Sequence, residues 1–151
     1  QPATLGVDRW LAMRAARRAA PGPFVVASVG TALTVDAVDA SGRHLGGCIA
    51  PGPQLMREAL LARAPHLDVA GGELHEFPAS TPDALRSGPL LAAAALVERL
   101  HAGLLASTSS EPRLLLTGGG APALLPALRP TVEWVPDLVL RGMLTLSAAT
   151  G

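Results

Sequence analysis

The stretch from Phe24 to Gly52, FVVASVGTALTVDAVDASGRHLGGCIAPG, is the feature that most constrains how this 151-residue chain can fold. It contains three runs with the β-branched or alternating pattern of strands, at 24–29, 32–40 and 43–50. The connections between these runs are only two residues long. Such connections join antiparallel neighbours, because a parallel pair needs a crossover of about a dozen residues or more. The stretch therefore predicts a three-stranded antiparallel meander.

Helix-forming runs flank this meander and then alternate with two further strand-like runs. Asp8 is predicted to cap the first helix, and Ser80 or Thr81 a long one. The predicted helices cover 9–20, 51–64, 80–107, 121–128 and 136–149, the two further strands 113–117 and 131–135, and a loop 65–80. This order predicts an α/β domain with a mixed sheet and helices on its faces. It resembles the ribonuclease-H-like half domain of the actin, hexokinase and acetate kinase superfamily.

Composition excludes several classes of function. Lysine plus arginine and aspartate plus glutamate are balanced at 12 each, so no basic excess indicates a nucleic-acid partner. The one cysteine, Cys48, excludes an internal disulfide and is predicted to be a small buried hydrophobe. No apolar run approaches the roughly 20 residues of a membrane span, and no signal peptide is recognisable. We therefore expect a cytoplasmic protein with no membrane partner.

Two glycine-containing segments are candidate phosphate or nucleotide sites. Gly30 and Thr31 join the first two strands, where a missing side chain lets backbone N–H groups face a phosphate. The run TGGGAPAL places Gly118, Gly119 and Gly120 between a buried strand and a helix start, which favours anions through the helix dipole. The alternative for both segments is a simple turn between two elements.

Asp8 and Arg9 form the third candidate site. A carboxylate beside a guanidinium can act as a general base next to an anion clamp, which is what phosphoryl transfer to a hydroxyl requires. The alternative is a helix cap followed by a surface charge. Asp36, which follows the Gly30–Thr31 segment closely, is a second-rank candidate, while Trp10 and Trp134 are predicted to lie in the core.

Taken in order along the chain, these segments resemble the type III pantothenate kinases. The pantothenate motif of that family is matched at Pro2, Leu5, Gly6, Asp8 and Arg9, and its G-T-A-x-T phosphate motif at Gly30, Thr31, Ala32 and Thr34. Its G-G-x-I-x-P-G segment at the dimer interface is matched from Gly46 to Gly52. Further matches are STPDALRSG, LLLTGG and PDLVLRGM, so the resemblance covers nearly all of the chain.

The resemblance implies ATP-dependent phosphorylation of pantothenate at the start of coenzyme A biosynthesis. Asp8 would be the catalytic base, and Gly6, Val7, Asp8 and Arg9 would bind pantothenate, with Arg9 on its carboxylate or steadying the phosphates. Thr81 would contact pantothenate across a homodimer interface. Gly30, Thr31, Gly118 and Gly119 would hold ATP, and Mg²⁺ would bridge its phosphate oxygens.

Two departures from the family pattern affect these expectations. The family carries an aspartate two residues before the phosphate-motif glycine, where it helps to hold K⁺ or NH₄⁺, but Ser28 stands at that position and supplies no charge. The family also begins with an Asp-x-Gly-Asn-Thr loop in an amino-terminal half domain. We expect residues 1–151 to form the carboxy-terminal domain only, with the 1–20 segment at its start, and to have little kinase activity alone.

Two other functions remain possible from the sequence. Some members of the same family have been regarded as accessory transcription factors, although the neutral charge and the absence of a DNA-reading helix argue against direct DNA binding. A different kinase or phosphatase on the same fold is the second alternative, because a fold does not determine its substrate.

Overall fold

The computed structural model describes residues 5–67 and 69–147, which form five strands and five helices around one mixed sheet. The strands are β1 (Phe24–Val29), β2 (Ala32–Val38), β3 (His44–Pro51), β4 (Arg113–Thr117) and β5 (Glu133–Trp134). The helices are α1 (Val7–Ala19), α2 (Pro53–Arg63), α3 (Thr81–Ser107), α4 (Ala121–Leu124) and α5 (Leu138–Ser147). Short 3₁₀ turns follow α2 and α4.

The predicted meander is confirmed, and it forms one half of the sheet. The strand order is β3-β2-β1-β4-β5, with β1–β2 and β2–β3 antiparallel and with β1–β4 and β4–β5 parallel. The long helix α3 supplies the crossover that lets β4 return beside β1 in parallel. β5 is only two residues long, shorter than the five-residue strand that the sequence predicts at 131–135.

Alternating side chains of the central strands bury the two faces of the sheet against different helices. On one face, Val25, Ala27 and Val29 pack with α3 and α4. On the other face, Phe24 and Val26 pack with α1 and the start of α5. The result is a three-layer α/β/α domain, and all core strand residues are at most 3% exposed. The predicted α/β class with helices on both faces is confirmed.

The start of α1 differs from the prediction in a way that matters for the site. Gly6, not Asp8, is the N-cap residue, and no side chain caps the helix. Asp8 lies in the first turn, where a carboxylate interacts favourably with the positive end of the helix dipole. Asp8 is thus free of a capping bond.

The loop predicted at 65–80 precedes α3, whose cap matches the sequence prediction. Ser80 is the N-cap and its hydroxyl oxygen accepts a hydrogen bond from the backbone N–H of Asp83. α3 also has the length and the mean hydropathy, 1.4, of a membrane-crossing helix, which the sequence analysis did not anticipate. Because its buried side chains pack on β1 and β2, we interpret α3 as a core helix.

Three residues predicted to be buried are exposed. Cys48 is exposed because β3 is the edge strand and no helix covers most of its length. Trp10 lies on the outer side of α1 with 40% of its surface exposed, and Trp134 lies on the short edge strand β5 with 50% exposed. Both tryptophans lie on solvent-facing parts of their elements, at positions where the sequence pattern predicts core residues.

Close contact between α1 and α5 yields a test of the packing. The backbones approach at Gly142, where a Cβ atom would overlap the carbonyl group of Leu11, whereas a Cβ atom on Gly103 of α3 would meet nothing within 4 Å. We expect Gly142→Ala to lower the free energy of unfolding by about 1–3 kcal/mol. The matched variant Gly103→Ala should be neutral or stabilising by up to about 1 kcal/mol, because alanine is the better helix former. Urea unfolding of both variants measures this, and equal stabilities would contradict the packing described here.

Candidate active site

A cavity of about 350 Å³ opens between the first turn of α1 and the adjoining face of β1 and β2. Residues that are consecutive on α1 form one wall, and alternate residues of the two strands form the floor. The lining residues are Gly6, Val7, Asp8, Arg9, Ala12, Val26, Ser28, Ala32, Thr34 and Asp36. The predicted substrate-binding segment of α1 therefore faces the strands that carry the predicted phosphate motif.

The floor of this cavity contains a buried ion pair between Arg9 and Asp36. The guanidinium of Arg9 donates to Asp36 with two bonds, 2.8 Å from Nε to Oδ2 and 2.6 Å from Nη2 to Oδ1. The Asp36 side chain is 3% exposed and that of Arg9 17%. A bidentate pair of this kind fixes the orientation of both groups. It ties the first turn of α1 to the middle of β2.

Two neighbours on β3 complete the surroundings of Asp36. His44 Nε2 lies 2.8 Å from Asp36 Oδ1, within hydrogen-bonding distance. Gly47 pairs with Asp36 across the strands, and a Cβ atom at Gly47 would lie 2.5 Å from Asp36 Oδ1 and 3.0 Å from Arg9 Nη2. A side chain at position 47 would therefore displace the ion pair. Contacts within the chain therefore account for the glycine at position 47.

The two carboxylates that line the cavity, those of Asp8 and Asp36, differ in whether they are paired with a positive charge. The hydrogen bond from Arg9 to Asp36 raises the pKa of the Arg9 guanidinium above its usual value, although burial acts in the opposite direction. Asp8 is exposed at the cavity wall, and its carboxylate makes no hydrogen bond or ion pair within the described part of the chain. Asp8 is thus the carboxylate available to accept a proton from a bound hydroxyl group.

The Gly30–Thr31 turn closes β1 onto β2 at the end of the sheet where the cavity lies. Both residues are exposed, and the turn is held by the bond from Gly30 N–H to the Ala32 carbonyl, 3.0 Å. Gly52 N–H donates to the Thr31 carbonyl at 2.7 Å, and a Cβ atom at Gly52 would overlap the Gly30 carbonyl. The turn is therefore anchored from the start of α2 and leaves its outer side exposed.

The glycine loop after β4 lies against the same end of β1. Gly118 has φ +92°, and a Cβ atom there would overlap the backbone of Val29. Gly120 N–H donates to the Val29 carbonyl at 2.9 Å, whereas Gly119 is exposed and a Cβ there would meet nothing within 4 Å. Gly30 directly follows Val29, the last residue of β1. The two glycine segments predicted to hold ATP are thus neighbours in space.

A second, smaller cavity of about 190 Å³ lies on the α3 side of this turn. Gly30 and Gly120 line it together with polar side chains from α2 and α3. These polar side chains are Gln54, Arg57 and Arg86. The two cavities flank the Gly30–Thr31 turn, since Ser28 and Ala32 line the first and Gly30 the second.

Thr81 is the one predicted substrate contact that the chain does not bring to the first cavity. It is exposed at the first residue of α3 and lines a shallow apolar groove between α2 and α3. Pro2, the first residue of the pantothenate motif, lies outside the described residues. Of the motif residues that the structure describes, Gly6, Asp8 and Arg9 line the first cavity, whereas Leu5 packs against the apolar core that contains Phe24 and Val26.

The cavity donors do not form a site for a resident metal ion. No group of three or more histidine, cysteine, aspartate or glutamate side chains with metal-binding proximity occurs among residues 5–67 and 69–147. Ser28 contributes only a hydroxyl group, and the nearby carboxylate of Asp36 is already paired with Arg9. Of the two carboxylates that line this cavity, only that of Asp8 has no ion pair within the described residues.

Asp36, a second-rank candidate from the sequence, lines the first cavity and pairs with Arg9. His44, which contacts Asp36, and Arg57 and Arg86, which line the second cavity, were not candidates. The available signal for Asp36 was its place in β2, where it follows Thr34 on the face that α1 covers. An ionised side chain on a covered face requires a partner of opposite charge. The position of Arg9 one turn into the facing helix supplies it. Nothing in the local sequence around His44 or Arg86 indicated a site.

A family model for type III pantothenate kinase matches residues 1–103, which is more than half of the chain. The chain belongs to the type III pantothenate kinase family. A family member from Stenotrophomonas maltophilia strain R551-3 is 50% identical over 143 residues, which cover 95% of this chain and 58% of that protein. One from Thiobacillus denitrificans is 44% identical, covering 99% and 62%. The chain thus spans about three fifths of the length of these relatives.

A solved structure supports the same fold over nearly the whole chain. A Campylobacter jejuni protein, assigned to the Baf family of transcriptional activators, superposes with a TM-score of 0.68 at 25% identity. The match covers 97% of this chain and 65% of that protein. Together with the sheet order, it supports the predicted mixed α/β sheet with helices on both faces.

The energy of the buried ion pair can be measured with a double-mutant cycle. We expect Arg9→Met and Asp36→Asn each to lower the free energy of unfolding by about 3 kcal/mol, because each leaves a buried charged or polar group without its partner. The double variant should recover part of this loss, with a coupling energy of at least about 1 kcal/mol.

The exposed pair Arg129–Glu76 provides the control. Its side chains are 75% and 57% exposed, so the same cycle on Arg129→Met and Glu76→Gln should give a coupling of at most about 1 kcal/mol. Equal coupling in the two cycles, read from urea unfolding, would show that the Arg9–Asp36 pair has no special role in holding α1.

Proposed function

We propose that the protein containing this chain phosphorylates pantothenate to 4'-phosphopantothenate with ATP, the first step of coenzyme A biosynthesis. The observation that carries the proposal is the cavity that brings Asp8 and Arg9 opposite the strands of the G-T-A-x-T segment. Family membership supports the same activity, since the relatives at 44–50% identity are named type III pantothenate kinases.

In this mechanism the primary hydroxyl oxygen of pantothenate attacks the γ-phosphorus of ATP. The new P–O bond forms as the bond from the γ-phosphorus to the β,γ-bridging oxygen breaks, and ADP leaves with that oxygen. Asp8 accepts the hydroxyl proton, for which its exposed and unpaired carboxylate is suited. The remaining contribution of the protein is to position the two substrates.

ATP is proposed to bind at the end of β1, with its phosphates at Gly30 and Thr31 and its adenosine at Gly118 and Gly119. The support is the exposed outer side of the Gly30–Thr31 turn and the glycine loop packed beside it. Arg86 of the second cavity adds a guanidinium on the same side. Mg²⁺ would enter on the ATP phosphates, because the described residues offer no metal cluster of their own.

A homodimer is proposed in which Thr81 completes the site of the partner subunit. Thr81 lies on the chain surface away from Asp8, so contact with the same pantothenate requires a second copy. The edge strand β3 and helix α2 leave Leu45, Ile49 and Leu60 between 45% and 66% exposed, which supports an interface there.

A cytoplasmic location is proposed, as for any enzyme that uses ATP from the cell interior.

A K⁺ or NH₄⁺ ion, which the resemblance implies, would meet only a hydroxyl group at Ser28 in place of the aspartate of the family. Ser28 offers no charge, and Asp36 is neutralised by Arg9.

A regulatory role without catalysis is the second candidate, favoured by the Baf family neighbour. Binding to a promoter fragment with no binding of pantothenate would support it.

Phosphorylation assays test the kinase proposal with an Asp8→Asn variant. The assayed protein joins this chain to the amino-terminal part of the Stenotrophomonas maltophilia relative that the chain does not cover. We expect Asp8→Asn to lower kcat by about 100-fold or more, because an amide cannot accept the proton, while the KM for ATP changes little.

Glu76→Gln is the matched control, since Glu76 is an exposed acid away from both cavities. It should retain the kcat of the parent protein. If Asp8→Asn retained more than about a tenth of the parent kcat, Asp8 would not be the base. Absence of any pantothenate-dependent ADP release from the parent would contradict the kinase proposal itself.

A further inference from the structure

We propose that Asp36 and His44 are positioning residues that act on Asp8 through Arg9. The four residues Arg9, Asp36, His44 and Gly47 are here called the Arg9 clamp. Its effect on catalysis rests on the proposed kinase function, but its effect on the structure of α1 does not. No motif of the resemblance includes Asp36 or His44, and the comparisons assign them no role.

The hydrogen bonds of Arg9 show that its guanidinium already has a partner. Nε and one N–H of Nη2 are used by the two oxygens of Asp36, at 2.8 and 2.6 Å. The positive charge is compensated by a carboxylate that is 3% exposed. The pair uses the Nε–Nη2 edge, so the N–H groups of Nη1 and the second N–H of Nη2 are what remains for a substrate anion. The two bonds to Asp36 therefore give Arg9 a role in holding α1.

The clamp acts where α1 has few other restraints. The helix start has no side-chain cap, Val7 is 69% exposed and Trp10 is 40% exposed. The core contacts of α1 begin at Leu11 and Ala12, which are each 2% exposed. Asp8 therefore lies on a turn that is held to the sheet by the adjacent side chain of Arg9 and by the packing of Leu5 just before the helix.

Two features of β3 keep Asp36 in the position that Arg9 requires. His44 Nε2 lies 2.8 Å from Oδ1 of Asp36, and the absence of a side chain at Gly47 leaves room for the side chains of Asp36 and Arg9. Three elements, α1, β2 and β3, thus converge on one carboxylate. The position of Asp8 at the cavity wall thus depends on Asp36 and His44 through Arg9.

Amide hydrogen exchange on this chain tests the structural half of the proposal. The bond from Trp10 N–H to the Gly6 carbonyl, 3.1 Å, reports on the first turn of α1. We expect Asp36→Asn to speed exchange of the Trp10 amide by about tenfold or more, and His44→Gln to speed it less. The amides of α3 should be unaffected beyond any change in global stability.

Glu133→Gln is the matched control, because it breaks a similar two-bond pair at the β4–β5 end of the sheet. Arg113 donates to Glu133 at 2.6 and 2.7 Å and lines neither cavity; its side chain also donates to the Ala16 carbonyl, toward the far end of α1 from Asp8. Glu133→Gln should leave exchange of the Trp10 amide unchanged. Equal exchange in Asp36→Asn and Glu133→Gln would overturn the clamp.

Kinetics test the catalytic half in the two-part protein used for the Asp8 assay. Asp36→Asn should lower kcat by about tenfold or more, leave the KM for ATP within about threefold, and spare the protein fold at the assay temperature. Glu133→Gln should retain kcat. Unchanged kcat in an Asp36→Asn protein with fast Trp10 exchange would show that the clamp is structural only.

A substrate analogue separates positioning from direct binding by Arg9. Pantothenol has an alcohol in place of the pantothenate carboxylate, so a residue that grips the carboxylate matters only for pantothenate. We expect Arg9→Met to lower kcat/KM by the same factor for both substrates. A loss at least about tenfold larger for pantothenate would overturn the positioning role. If the parent phosphorylated neither compound, the proposed function would fail, while hydrogen exchange would still decide the clamp.

Discussion

The candidate site depends on the bidentate ion pair between Arg9 and Asp36. It joins a helix that precedes the sheet in sequence to the second strand of the meander, so it fixes the relation of two segments 27 residues apart. A buried pair adds little net stability compared with an apolar contact of the same shape, because both charges lose water. The pair instead fixes the orientation of the start of α1, because its two parallel bonds allow only one arrangement of the two side chains. Asp8 is adjacent to Arg9, so its position depends on this orientation.

The sheet brings the remaining parts of the site to the same place. β1 ends between the two cavities, and the Gly30–Thr31 turn, the glycine loop and the start of α2 all contact its last residues. Gly52 and Gly118 lie there because any side chain would overlap backbone of the adjoining segment. Phosphoryl transfer needs mainly positioning and charge, and a rigid strand end beside an exposed glycine turn is a suitable place for it.

Most of the fold could be predicted from the sequence, because the short connections within 24–52 force antiparallel pairing and the later alternation forces a crossover. The elements that could not be predicted are those decided by tertiary contacts. Asp8 is a good N-cap residue, yet Gly6 takes that place, and Arg9, the residue after Asp8, pairs with Asp36 on another element. Cys48 and Trp134 are apolar residues on strands, yet both strands are sheet edges, and edge position is not visible in a local pattern.

The candidate site likewise contains residues that could be predicted from the sequence and residues that could not. The residues next to each other in sequence, Gly6 to Arg9 and Gly30 to Thr31, could be found from motif spacing alone. Asp36 and His44 could not be ranked, since their importance arises from a partner on another element. Thr81 lies away from Asp8 within one chain, and a sequence contains no sign of whether a second copy brings them together.

Amide chemical-shift mapping of this chain with pantothenate tests the central claim most directly. The account predicts saturable shifts that cluster on the first turn of α1 and the facing floor of β1 and β2, at Gly6, Val7, Asp8, Ser28 and Thr34. Shifts confined to other surfaces, or no saturable change up to about 10 mM pantothenate, would show that the cavity beside the Arg9–Asp36 pair is not where this substrate binds.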